Sequence, residues 1–135
     1  MNKEKIFLRG VWKNIPDEKE TDWIERLSKV ELTSQPLGDY GAILKDMLNK
    51  EIKPETIARL MKIVAYETAF GIMYHLEDPN ASYEGFPEEK EKISWGLFIV
   101  DNETNEPIEP LYGLHESILS MDPTEREMRP MLKKD

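Results

Sequence analysis

The chain has 135 residues, no cysteine, and 27 acidic against 18 basic side chains, for a net charge of −9. That length is one domain's worth, enough to bury roughly two-thirds of the surface an unfolded chain exposes. The missing cysteines exclude a disulfide framework and a thiolate zinc site, and no apolar run approaches the ~18 residues of a membrane-spanning helix.

The first dozen residues hold Ile6, Phe7, Leu8, Val11 and Trp12, an apolar patch interrupted by Gly10. It reads as a short helix or an extended arm docked on the core. Its apolar stretch is too short for a secretion signal, so a soluble cytoplasmic protein is expected. A charged run opens at Pro16 and Asp17, and Thr21 or Asp22 can cap a helix through about Val30. Trp23, Ile24, Leu27 and Val30 share one face of it.

After the connector Thr33-Ser34-Gln35-Pro36, a third helix is expected over Leu37 to Lys50. Its core-facing stripe is Tyr40, Ile43, Leu44, Met47 and Leu48. Gly38 and Gly41 lower the early propensity and let a neighbour approach closely. A short turn at Glu51-Ile52-Lys53 then makes this helix and the next antiparallel neighbours.

The next helix, Pro54 to Leu76, is the longest periodic stretch and is expected at the centre of the fold. Pro54 fits the first turn, and Glu55 suits the positive end of the helix dipole. At 100° per residue Glu55, Arg59, Lys62 and Tyr66 form a narrow wet face. The opposite arc holds Ile57, Leu60, Met61, Val64, Thr68, Gly71 and Ile72, extended by Ile63, Phe70 and Tyr74. Such a helix is expected to be buried on two or more sides. Glu67 and His75 project into that arc, so both are expected to be buried. A buried carboxylate must be paired, hydrogen-bonded or protonated. A satisfied structural role outweighs catalysis for both residues, since they lie about 12 Å apart along the axis.

Residues 77–92 read as a long acidic loop, with Tyr83 and Phe86 set among Glu84, Glu88 and Glu89. The charge is segregated: residues 77–109 carry 10 acidic and 2 basic side chains, against 12 and 12 over residues 1–76. Ile93 to Val100 alternates as a strand, with Trp95, Leu97 and Ile99 on one side. Asp101 to Asn105 is turn chemistry, and Pro107 to Tyr112 returns as an edge strand. Glu103, Glu106 and Glu109 then lie near the exposed end and edge of the hairpin. Leu114, Ile118 and Met121 are the buried positions of a last helical region. Asp122-Pro123-Thr124-Glu125 has the form of a further helix start, reaching about Met128. Residues 129–135 read as a loose tail. The expected fold is therefore mostly α (α+β): a single domain over 1–135, with four to five helices around 54–76 and one antiparallel hairpin over 93–112.

Chemistry is harder to place. There are two histidines, His75 and His115, the second beside Glu116. With Glu67 they could form a His/Glu site, but the sequence has no HExxH and no Glu-x-x-His pair. No nucleophile elbow, phosphate loop or dinucleotide motif is present. Neither a metal nor a cofactor is expected. Ser117 and Ser120 near His115 read as ordinary helical serines.

The acidic segment carries the main functional expectation. It disfavours nucleic acid, which needs Lys and Arg along the contact, and favours a basic protein partner held at Tyr83, Glu84, Phe86, Glu88, Glu89, Glu103, Glu106 and Glu109. A merely solvated, solubilising face is the plainer interpretation of the same charges. In size, acidity and lack of a catalytic motif the chain resembles in character small bacterial immunity or antitoxin-like proteins that bind a basic toxin. The likeness implies a non-enzymatic interaction module. The alternative is a small helical enzyme or metal-binding protein built on Glu67, His75, His115 and Glu116. No membrane role is expected, and oligomeric state stays open.

Overall fold

The computed structural model describes residues 2–78 and 94–131. Tyr83, Glu84, Phe86, Glu88 and Glu89 therefore lie outside the described residues, as does the end of the expected tail. Five helices and one two-stranded antiparallel sheet are present among the described residues: α1 (Lys3–Trp12), α2 (Asp22–Ser28), α3 (Tyr40–Asn49), α4 (Pro54–Glu77), β1 (Phe98–Val100), β2 (Pro107–Pro110) and α5 (Leu114–Ser117). This is the mostly α fold with a small hairpin that the periodicity predicts. No described helix is long and apolar enough to cross a membrane. The chain forms two compact units, Ile15–Tyr66 and Met1–Asn14 with Glu67–Asp135, and α4 contributes to both.

In the unit Ile15–Tyr66, Ile24, Leu44, Ile57 and Ala58 form the buried cluster, flanked by Trp23, Leu27, Tyr40 and Met61. Helix α2 meets α3 at Gly41, where an added Cβ would lie 2.3 Å from the Leu27 carbonyl oxygen. Helix α3 ends in a Schellman arrangement. Glu51 takes φ +63°, its N–H donates to the Leu48 carbonyl at 3.0 Å, and the Ile52 N–H donates to that of Met47 at 3.1 Å. Ile52 packs against the same cluster, so the turn that stops α3 also starts α4.

The two faces of α4 differ from expectation. Lys62, placed on the wet face by its charge, is only 2% exposed. Glu18 covers it: one carboxylate oxygen lies 3.6 Å from Lys62 Nζ, and the other accepts from Arg59 Nη1 at 3.1 Å. Tyr66, one turn further, is partly buried, and that burial raises its phenol pKa above the usual 10.0. In the apolar arc, by contrast, Leu60, Val64 and Ile72 are more than half exposed. Periodicity finds the stripe but not what covers it. Here a charged segment with a matching carboxylate covers the charged edge, and part of the apolar arc faces solvent.

In the other unit, the Asn2 side chain caps α1 by accepting from the Lys5 N–H at 3.0 Å. This settles the first dozen residues as helix. Its buried positions Leu8 and Trp12 join Met73, Leu111, Leu114 and Ile118 as the unit's buried apolar residues. The Trp12 indole N–H donates to the Ile118 carbonyl at 3.1 Å, which satisfies a polar atom that burial would otherwise penalise. Strand β1 is shorter than its pattern, beginning at Phe98, but the alternation holds. Trp95, Leu97 and Ile99 are half-buried, while Ser94, Gly96, Phe98 and Val100 are exposed. Phe98 pairs with Pro110 and Ile99 with Glu109, and the register shifts before Val100 pairs with Pro107.

The expected helix start at Asp122 is a turn instead. The buried Asp122 carboxylate accepts from the Thr124 N–H at 3.0 Å, the Thr124 hydroxyl at 2.9 Å and the Met128 N–H at 2.8 Å. Glu125, Glu127 and Met128 all take positive φ, which a right-handed helix forbids. An Asp at a helix start and an Asp closing a turn look alike in sequence, because both accept from amides two or more residues on.

Candidate functional site

Phe70, Tyr74 and Glu77 are spaced four and three apart, so they share one face of α4 near its C-terminal end. His115, on α5, lies against that face. Its ring stands edge-on to Tyr74 at 5.0 Å between centroids and to Phe70 at 5.9 Å. His115 Nδ1 is 2.6 Å from one Glu77 carboxylate oxygen, a close contact off the hydrogen-bond direction. The other oxygen accepts from the Leu114 N–H at 2.5 Å. Glu77 thus holds the α5 ring and the first amide of α5 with one carboxylate. His115 Nε2 points toward Glu116, 3.9 Å away on a largely exposed side chain.

Sequence reasoning named His115 and Glu116 but ended α4 at Leu76 and assigned Glu77 to the acidic loop. The signal was there, since Phe70, Tyr74 and Glu77 continue one helical face. Glu67 and His75 are corrected in the other direction. Both are exposed, because the part of the α4 arc that carries them faces solvent. His75 stacks at 45° on Trp95, with centroids 4.7 Å apart, and its carbonyl accepts from the Trp95 indole N–H at 2.8 Å. Of the four residues gathered in the His/Glu hypothesis, His115 and Glu116 approach one another, at 3.9 Å. No group of three or more His, Asp or Glu among the described residues could hold a metal ion.

Replacing Glu77 with Ala should cost about 1–3 kcal/mol in chemical denaturation, since it leaves the Leu114 amide without its acceptor and removes the carboxylate beside the His115 ring. Glu77→Gln should recover part of the loss by keeping an oxygen for the amide. Equal loss in both variants would mean that charge, not acceptance, is what matters there.

The described acidic side chains of the hairpin sort by what they already do. Asp101 takes the Glu103 N–H at 2.8 Å and the Thr104 N–H at 2.9 Å. Those two amides hold its carboxyl below the ordinary aspartate pKa of 3.8. Glu109 is ion-paired with Lys3 across two exposed side chains. Glu103 and Glu106, at the end of the hairpin, are exposed and have no ion-pair partner among the described residues. Two of the three expected hairpin contacts are thus open carboxylates, and the third is shared within the chain.

No protein-family model, no curated protein and no solved structure matches this chain. The residues themselves have to carry any functional argument.

Proposed function

We propose that this is a small non-enzymatic interaction module that binds a basic protein through its acidic segment, from Glu84 to Glu109. The observation that carries the reading is the division of labour among the hairpin carboxylates. Asp101 builds the turn, and Glu103 and Glu106 project from it with no ion-pair partner among the described residues. A rigid turn presenting uncommitted carboxylates suits electrostatic encounter with Lys and Arg, which raises association rates more than affinity. The segregation of 10 acidic side chains into residues 77–109 supports the same surface.

The decisive comparison is wild type against a variant with Glu88, Glu89, Glu103 and Glu106 all changed to Lys. Both are used as bait on extracts of the protein's own cells, at low and high salt. A basic protein held by wild type at low salt, released by high salt and absent from the variant is the expected result. Equal retention by both baits would sink the reading, as would retention indifferent to salt.

A further inference from the structure

A second surface lies wholly within Ile15–Tyr66. Helices α3 and α4 leave a groove of about 310 Å³ between them, walled by Tyr40, Ile43 and Met47 from one helix and by Leu60 and Met61 from the other. Leu37 stands at its mouth, 79% exposed, and Ile43 (53%), Leu60 (52%) and Val64 (54%) are also open. Among the described residues the groove has one charged lining residue, Asp39. It occupies the N-cap position of α3, yet its side chain makes no capping hydrogen bond. No ion pair engages it among the described residues.

Leu37 adds a separate observation. It adopts φ +61°, a left-handed conformation that is sterically strained for a residue with a branched side chain. The strain presents an aliphatic side chain to water, where burial gives nothing back within the chain.

We propose that this groove is a docking site for an amphipathic helix of a protein partner, with aliphatic anchors in the groove and a Lys or Arg beside them against Asp39. The wall spacing supports a helix. Tyr40, Ile43 and Met47 step by three and four, as do Ile57, Leu60, Met61 and Val64, so the two ridges leave a channel fit for the i, i+3, i+4, i+7 face of a third helix. Helix α3 spans about 15 Å, which sets the contact at roughly ten partner residues. A small molecule filling the channel would leave Val64, outside its lining, wet, whereas a helix laid along α4 covers it. A second copy of the chain fits less well. Four half-open aliphatic side chains offer a few hundred Å², short of the about 800 Å² per partner that a stable dimer buries. Asp39, with no ion-pair partner among the described residues, selects the sign of the flank. This surface is independent of the acidic hairpin.

The test is selection of a displayed library of helical twelve-residue segments on the full chain, with counter-selection on an Ile43→Asp/Leu60→Asp variant whose circular dichroism matches wild type. Enriched segments should share aliphatic residues at helical spacing with an adjacent Lys or Arg. Asp39→Lys should reverse the preference to Asp or Glu, and Leu60→Asp alone should weaken a selected segment at least about tenfold. Charge reversal at Glu103 and Glu106 should leave the selection unchanged, which separates this surface from the acidic one. Three outcomes would overturn the proposal: no enrichment over the counter-selected variant, enriched flanks indifferent to Asp39, or a dimer in sedimentation that Leu60→Asp dissolves.

Discussion

Replacing Glu18 with Ala should destabilise the protein by about 3–5 kcal/mol, a large share of the whole folding free energy of a chain this size. The cost does not come mainly from the bonds lost. Arg59 is about a quarter exposed along its side chain and can turn its guanidinium to water. Lys62, at 3% side-chain exposure, cannot. Without Glu18 its buried ammonium loses a carboxylate oxygen that lies 3.6 Å away, and taking one partner from a buried ion pair is the costly case. Lys62→Met should be milder, because the apolar stem is kept and Glu18 still accepts from Arg59. The double variant Glu18→Ala/Lys62→Met should recover much of the Glu18→Ala loss, with a coupling of about 1–3 kcal/mol in a double-mutant cycle. Urea titrations of the four proteins measure it. Additive losses would show that Lys62 reaches water or another acceptor well enough to do without Glu18.

The same residues show where sequence reasoning stops. Helix α4 was legible to within one residue, because Pro54 marks its start and apolar positions recur over six turns. The strand alternation around Trp95 was legible for the same reason: period carries the information. Which face of α4 is covered was not. Lys62 looks like a solvent residue until a carboxylate four residues before the start of α2 is brought over it by the fold. Glu18 and Lys62 are 44 positions apart, and no local pattern links them. The exposed arc of Leu60 and Val64 is the complement of that error. A stripe of apolar residues announces burial, but an interaction surface uses the same stripe and differs only in what lies on it. Glu67 and His75 were misjudged as buried on that account.

At the candidate site the balance is similar. Glu103 and Glu106 were legible as exposed hairpin carboxylates because turn chemistry fixes where a hairpin ends. The Glu77–His115 contact required a long-range approach, although the Phe70, Tyr74 and Glu77 face was readable once α4 was allowed another residue. Asp122 was misread because the helix cap and the turn it forms share one hydrogen-bond pattern over the first two residues. They part only at Glu125, where φ turns positive.

Gly41→Ala should be the most damaging single-methyl change in the unit Ile15–Tyr66, costing about 3 kcal/mol, the top of the range for overpacking. On propensity alone the substitution favours a helix by roughly 1 kcal/mol, so the sign is a test of packing against local preference. The new Cβ would fall 2.3 Å from the Leu27 carbonyl oxygen and 2.8 Å from that of Val30. Both obstacles are backbone, so no side chain can rotate away, and α2 must move bodily off α3. That motion opens the contact through which Ile24 and Leu44 bury each other. A control at Gly71 of α4, where an added Cβ meets nothing within 4 Å, should gain stability by about the propensity difference. Thermal or urea unfolding of the two variants side by side decides it. If Gly41→Ala and Gly71→Ala move stability in the same direction, the close crossing of α2 on α3 is not what makes Gly41 a glycine.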